Sequence, residues 1–391
     1  MTVERFDVVV AGAGLPGLAL ASALARTGLR IALADRAPIA TPDSDAGTWD
    51  TRIYAISPGS AAFLARIGAW QALSCERMTA VESMRIEGDG RGVLQFSAYD
   101  LGERALAWIV EERALRAALL PTLHAAGVAM YGGVPFEGLA WSPESARLTL
   151  ADGNALEAQL LVGADGVRSW VRAAAGLVAV PKPYGQTAVV ANFGCERAHH
   201  GCARQWFRTD GGVLAWLPLP ERRISIVWSA PDALAAELLA EPLESLALRV
   251  GAAGESALGH LAALGPAAGF PLLQLRLPTS VAHRLALVGD AAHGLHPLAG
   301  QGVNLGFGDA DALAEVLRER GPVTDPGAPV LLTRYARRRA EPVLAMQAVT
   351  DGLAQLFGTS RPWLRLLRNA GLSAVDRLPM VKRMLAQPAL R

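Results

Sequence analysis

The spacing of apolar and polar positions along this chain changes period repeatedly, and each change predicts an element. Phe6 to Val10 is a valine-rich run with the pattern of a buried parallel strand. Leu15, Leu18, Ser22 and Leu24 continue as a helix that stops at Thr27-Gly28, and Ile31 to Ala34 forms a second strand ending in Asp35. An amphipathic helix runs from Ser57 to Ile67. From about Cys75 to Ala105 the pattern alternates, with loop signals at Gly88-Asp89-Gly90 and Asp100-Leu101-Gly102, which predicts strands. Trp108, Ile109 and Val110 then lead into a helix through Leu115, Leu119 and Leu123. Leu148 to Leu150, the turn Asp152-Gly153-Asn154 and Leu160 to Val162 make a hairpin-like unit.

The second half reads differently. Gln205 to Thr209, a turn at Asp210-Gly211-Gly212, Val213 to Leu217, a turn at Pro220-Glu221-Arg222 and Ile224 to Ser229 form an antiparallel meander. Trp206, Phe207, Trp216 and Trp228 lie on it, and aromatics on a sheet default to core. Asp232 to Val250 and Ser256 to Leu264 read as helices, and Phe270 to Leu277 as a returning strand. Leu285 to Val288 is a short buried strand closed by Gly289 and Asp290, and a glycine-rich turn follows it. The next helix puts Val303, Leu305, Phe307, Ala310, Leu313 and Leu317 on one face. Pro322 to Pro329 is a loop, and Val330 to Arg391 is helical, with Arg334, Arg337, Arg338 and Arg339 on a basic face read as solvated. Parallel βα units followed by an antiparallel sheet predict an α/β fold with a second sheet domain and a helical C-terminus.

Composition narrows the class. The 391 residues are 51% hydrophobic and 19% charged, a globular composition with room for two or three domains. The net charge is +1 and no Lys/Arg block of the nucleic-acid-binding kind appears, so small molecules are the expected partners and nucleic acid is not. Three cysteines, Cys75, Cys195 and Cys202, include no CxxC pair, so neither a disulfide framework nor a metal site is supported. Val8 to Ala25 lacks charge, but three glycines and a proline fall in its middle and no basic n-region precedes it. The expectation is a soluble, cytoplasmic protein, with peripheral membrane contact and oligomer formation left open.

Three strand ends carry the candidate chemistry. Gly12, Gly14 and Gly17 form GxGxxG directly after a strand and before a helix, and Asp35 ends the second strand where a ribose-binding carboxylate belongs. Asp165 and Gly166, in GADGVRSWVR from Gly163 to Arg172, mark another tight βα turn, with Ser169 as a helix cap and Arg168 and Arg172 supplying charge. The third site is the stretch from Leu285 to Gly306, where Asp290 faces a crevice and free N–H groups around Gly302 and Val303 suit an anion or an electron-rich ring. Arg52 is placed to meet a cofactor pyrophosphate, against the alternative of a surface Asp/Arg pair, and Arg113, at the start of its helix, to reach the cofactor's middle, against that of a helix-surface arginine. His293 and His296 read as structural loop histidines rather than proton relays.

Together GAGLPG with Asp35, GADGVRSWVR and GDAAHGLHPLAGQGVNLG resemble the single-component FAD-dependent aromatic hydroxylases of the para-hydroxybenzoate hydroxylase type. DTRIYAISPGSAAFLARIGAW and the long final motif look like the UbiH/UbiF/COQ6 ubiquinone-biosynthesis hydroxylases. The resemblance implies a Rossmann-like FAD-binding domain with a parallel sheet (residues 1–74, 106–177 and 278–325), a substrate domain with an antiparallel β-sheet (75–105 and 178–277) and a C-terminal helical region (326–391). It implies that Gly12, Gly14 and Gly17 approach the FAD pyrophosphate, that Asp35 takes the adenosine ribose with Arg36 beside it, and that Arg52 and Arg113 contact the phosphate and ribitol regions. Asp165 would help hold FAD, Gly289 and Asp290 the ribitol, and Pro297, Gly300, Gly302, Val303 and Asn304 the isoalloxazine, with no acid/base residue assigned. Asp35 departs from the more usual glutamate, shortening the reach but keeping the acceptor. The implied reaction is hydroxylation of an aromatic ring, a polyprenyl phenol of ubiquinone biosynthesis, with NAD(P)H and O2 through a flavin C4a-hydroperoxide. The alternatives are another small aromatic substrate, a reductase, or a flavin-binding accessory subunit docked to other ubiquinone-biosynthesis proteins. Halogenation is disfavoured because the chain contains no Trp-x-Trp.

Overall fold

A computed structural model describes residues 2–42, 47–90, 92–208, 212–296, 300–357 and 362–390. The valine-rich run becomes the strand Val3–Ala11 near the middle of a sheet, in the spatial order Val281–Ala282, Leu285–Leu287, Ala155–Gly163, Val3–Ala11, Ile31–Asp35, Ala129–Gly132. The pairings from Leu285–Leu287 across to Ala129–Gly132 are parallel. Alternate residues of these strands point to opposite faces, and both faces are covered. Val8, Val10, Leu33, Leu160 and Ala286 pack on the helices Leu15–Ala25, Glu112–Ala125 and Gly302–Arg318. Val9, Ala11, Ala32, Leu161 and Leu287 pack under the hairpin Phe136–Trp141/Ala146–Leu150 and the short helix Trp170–Ala174.

The second large sheet is mixed only at one edge. Its order is Leu261–Ala263, Lys182–Cys195, Arg223–Pro231, Val213–Leu219, Cys202–Phe207, Ser83–Glu87, Val93–Ser97, and Ala268–Gln274 also pairs with Lys182–Cys195. The expected meander is present, although Thr209 and the Asp210-Gly211 part of its first turn lie outside the described residues. Trp206, Trp216 and Trp228 are core, packed with Phe193 and Val189 against the helices Asp232–Ala240 and Leu243–Ala253. The opposite face meets a three-stranded sheet of Ile53–Ile56, Ala107–Glu111 and Thr79–Val81, which the alternation pattern did not separate from its neighbours.

Two helix expectations need correction. Asp232 to Val250 is two helices because Pro242 cannot donate to the first and caps the second. Ser256 to Leu264 is not a helix: Glu255 and Ser256 have φ of +57° and +50°, and the segment ends in the strand Leu261–Ala263. Its apolar residues are spent on the tryptophan core, so tertiary burial overrides the helical spacing.

The C-terminus is helical as expected, in Pro329–Phe357, Pro362–Asp376 and Pro379–Leu390. It is clamped to the second sheet through the turn around Gly88–Gly92. Arg368 pairs with Asp89 in a buried fork, and Asn369 Oδ1 accepts from the N–H groups of Gly90 at 3.2 Å and Gly92 at 3.1 Å. Side chains on Gly88, Gly90 or Gly92 would collide with Asn369, which explains the glycines there.

Candidate cofactor and substrate site

The first strand hands over to the helix Leu15–Ala25 through a turn that needs glycine at two points. Gly12 has φ +117°, and a Cβ on it would lie 2.3 Å from the carbonyl carbon of Ala164. A Cβ on Gly17 would lie 2.0 Å from the Gly12 carbonyl oxygen. Gly14 is different, since nothing in the protein lies within 4 Å of a Cβ built there. The helix it precedes has no side-chain cap and no acidic residue in its first turn, which leaves N–H groups and the positive dipole end for an anion. Asp35 is pinned at the end of its strand by the N–H groups of Ala13 at 2.5 Å and Ala37 at 2.7 Å, and a carboxylate so held retains acceptor capacity for a ribose hydroxyl.

The stretch after Leu285–Leu287 closes on the first motif. Gly289 has φ +60°, and Cβ atoms on Gly289 and Gly306 would lie 3.2 and 2.7 Å from Pro16 Cγ. Pro16, inside GAGLPG, is therefore gripped between the strand end and the helix Gly302–Arg318. Asp290 next to this contact reaches solvent, and among the described residues no hydrogen bond engages its carboxylate. Protein surrounds it on most sides. Burial raises its pKa, opposed by His293 and reinforced by Asp309; the exposure is what a ligand meets, and the crowding is what disfavours its charge.

The helix Gly302–Arg318 also starts without a side-chain cap or an early acidic residue, and a Cβ on Gly302 would meet nothing within 4 Å. Asn304 does not face open space. Its Oδ1 accepts from Ser57 N–H at 2.9 Å and its Nδ2 donates to Ala55 carbonyl at 2.8 Å, so it moors the helix to the strand Ile53–Ile56. Gly300, at φ +60°, stands over Ala55, and Val303 is buried. Pro297 lies outside the described residues. Two bare helix N-termini, the Gly14 and Gly302 clearances, a pinned Asp35 and an unengaged Asp290 fit the pyrophosphate, ribose, ribitol and ring of FAD.

A buried ion network holds this wall. Asp309, 1% exposed, accepts from Gly289 N–H at 2.8 Å, His293 Nε2 at 2.5 Å and Arg339 Nε at 2.6 Å. Burial disfavours charge on both His293 and Asp309, but their attraction outweighs it, raising the histidine and, with Arg339, lowering the carboxylate. His293 is buried and paired with Asp309. Arg339 is a correction, because it is partly buried and turned onto Asp309 rather than part of a solvated face, whereas Arg334 and Arg338 do pair at the surface with Glu319. Leu331, Leu332 and Tyr335 are buried on the same helix, and Arg339 lies one turn beyond Tyr335 on that stripe.

The other basic residues divide. Arg52 pairs with Glu112 at 3.2 Å and lies 5.1 Å from the Phe270 ring centroid. Arg113 donates to Thr48 and pairs with Glu111 at 3.0 Å, while its N–H is capped by Asp50 at 3.1 Å. Both braces surround the segment that follows the first βαβ unit. Arg36 is exposed. Arg116 was missed. One turn beyond Glu112, it donates to the Ala13 carbonyl at 2.8 Å and so touches the glycine loop itself. Asp165 gives its carboxylate to its own helix, accepting from Ser169 Oγ and from the N–H groups of Trp170 at 2.7 Å and Val171 at 3.1 Å. Arg172 is buried and bridges the carbonyls of Val167 at 2.8 Å and Ala291 at 2.9 Å, tying the second motif to the third.

A family model described as an FAD binding domain matches residues 5–351. The chain is 36% identical over 387 residues to the ubiquinone hydroxylase UbiL of Rhodospirillum rubrum, covering 98% of this chain and 89% of that protein. It is 33% identical over 395 residues to the 3-demethoxyubiquinol 3-hydroxylase of Escherichia coli, covering all of both. Among solved structures it superposes on the p-nitrophenol 4-monooxygenase PnpA of Pseudomonas putida with a TM-score of 0.79, at 18% identity over 100% of this chain and 99% of that one, a likeness of fold.

Proposed function

From the premise that this chain belongs to the FAD-dependent aromatic hydroxylases of ubiquinone biosynthesis, we propose that the crevice between its two large sheets holds FAD and positions a prenylated phenol for ring hydroxylation. The observation that carries the reading is the grip of Gly289 and Gly306 on Pro16, which brings two distant motifs into one wall. Bound FAD would supply the redox chemistry by which electrons from NAD(P)H reduce O2, one oxygen atom going to the ring and the other leaving as water.

The protein's own share is positional. The N–H groups at Gly14–Leu15 take the pyrophosphate, Asp35 the ribose, and Asp290 a ribitol hydroxyl. The helix that starts at Gly302 directs its positive end at the ring region, where negative charge is stabilised without reorganisation. Asn304, through Ser57 and Ala55, fixes that N-terminus in place. Ile53, Val81, Ile109 and Leu219 fill the space between the second sheet and the small sheet, an apolar layer that keeps that side of the site rigid. Arg52, Arg113 and Arg116 are placed to add positive charge at the phosphate end. The segment boundaries given by the resemblance divide the chain between these two jobs, with FAD on the parallel-sheet side.

The lipid-soluble tail of such a substrate brings the protein to a membrane surface, and no helix among the described residues is long and apolar enough to cross one. The test is direct. Purified protein should be yellow, its NAD(P)H oxidation in air should rise on adding a prenylated phenol, and isotope from labelled O2 should appear on the ring. Oxidation of NAD(P)H that never places oxygen on any phenol would leave a reductase; stable flavin binding with no turnover at all would leave an accessory subunit.

A further inference from the structure

His296 is the one histidine of the third motif that the ion network leaves out. It is 2% exposed, and its Nε2 lies 2.7 Å from Gln186 Oε1. The Tyr184 ring meets it edge-on at 4.9 Å. Tyr184 in turn donates to Asp351 at 2.6 Å, and Asp351 also receives Gln274 and Arg276. These groups, from the strands Lys182–Cys195 and Ala268–Gln274 and the helix Pro329–Phe357, are the polar neighbours of the ring. They hold it by one edge. The other ring nitrogen, Nδ1, is buried and has no hydrogen-bond partner among the described residues.

Two further facts place the loop that carries the ring. The loop is pinned just before it, where Gly294 exchanges hydrogen bonds with Leu275 at 3.0 and 3.3 Å and has no room for a side chain. Gln186 shares its strand face with Ala188, Val190 and Asn192, opposite the face on which Val189, Ala191 and Phe193 join the tryptophan core. His296 thus bridges the ring-lining loop and the sheet face proposed for the substrate. Because Nε2 donates to a carbonyl-type oxygen, a neutral ring has its lone pair on Nδ1. Burial pushes the imidazole down to about 4, so the neutral form holds at physiological pH.

We propose that His296 Nδ1 accepts the phenolic O–H of the aromatic substrate, a role that rests on the aromatic-hydroxylase reading above. The hydrogen bond fixes which edge of the ring faces the reacting centre. It also draws the proton away from oxygen and raises electron density at the ortho and para carbons, where an electrophilic oxygen attacks. Gln186 selects the tautomer that makes this possible, and Tyr184 keeps the ring plane in place.

The experiment titrates flavin-loaded protein with a phenol carrying a two-isoprene tail and, separately, with its methyl ether, following the flavin absorbance. Wild type should bind the phenol about ten-fold tighter than the ether. His296→Gln keeps a donor for Gln186 but has no acceptor at the Nδ1 position; it should bind the phenol about ten-fold more weakly and the ether unchanged, with full flavin content. His296→Asn places an amide oxygen near the Nδ1 position and should recover part of the preference. A His296→Gln protein that still prefers the phenol overturns the assignment and makes His296 a structural pin. Wild type that binds both compounds equally overturns it too, while leaving the hydroxylase reading to its own turnover test. Wild type that binds neither removes the substrate reading and this inference with it.

Discussion

Asp309→Asn should be the most informative single change, because it leaves the volume and removes the charge that three donors share. In the parent, two carboxylate oxygens receive Gly289 N–H, His293 Nε2 and Arg339 Nε at 2.8, 2.5 and 2.6 Å. Asparagine offers one oxygen and turns an NH2 toward a donor. Removing one partner of a buried ion pair costs about 3–5 kcal/mol, and the retained oxygen puts this case near the lower end, about 3 kcal/mol. At about 2 °C per kcal/mol for a long chain, thermal unfolding at pH 6 should fall by about 6 °C. The sign of the pH effect follows from the two shifts. His293 is raised above 6.5, so its stabilisation is complete below 6.5 and is lost as pH rises through the folded value. Asp309 is lowered below 3.8, so its share is present above 3.8 and lost as pH falls through the folded value. The gap between parent and variant is therefore widest from about pH 4 to about pH 6.5 and narrows above, without closing, because Arg339 keeps its charge. Circular dichroism melts across that range measure it, with flavin content recorded alongside, since Asp309 holds the Gly289 N–H beside Asp290. A variant that melts within about 1 °C of the parent at every pH would refute the reasoning.

Gly14→Ala and Gly17→Ala should behave oppositely. The first meets only open space, so the flavin-free protein should melt as the parent does while FAD binding weakens at least about ten-fold; the second strikes the Gly12 carbonyl and should destabilise the protein itself. Asp290→Ala, which breaks no hydrogen bond among the described residues, should stay within about 0.5 kcal/mol of the parent's stability yet lose flavin on gel filtration. Full flavin retention there would remove Asp290 from the cofactor site. Arg368→Ala removes the cation from the buried Asp89 carboxylate and leaves it the Asn369 Nδ2 donor at 3.0 Å, so the C-terminal helices should loosen from the second sheet, at a cost of about 3 kcal/mol, and become the first target in limited proteolysis.

Local pattern alone determined a good part of this protein. A strand, GxGxxG, a helix and a strand ending in Asp35 need only nearby residues to form, and the meander is legible because alternation and turn glycines are short-range signals. The three glycine and carboxylate sites were visible for the same reason. What the sequence could not place was anything whose partner is far along the chain. Ser256 to Leu264 has helical spacing, yet Leu258 and Leu261 are claimed by the tryptophan core and the backbone follows them. Arg339 looks like one of several surface arginines until the helix carrying it packs on Gly302–Arg318 and turns that position inward onto Asp309. Arg116 becomes a contact of the glycine loop only when its helix lies beside Leu15–Ala25, and Asp165, which reads as a ligand, is satisfied by its own helix. Periodicity says which face of an element is apolar; only packing decides which polar groups that burial brings together, and those long-range pairings set the charges around the site.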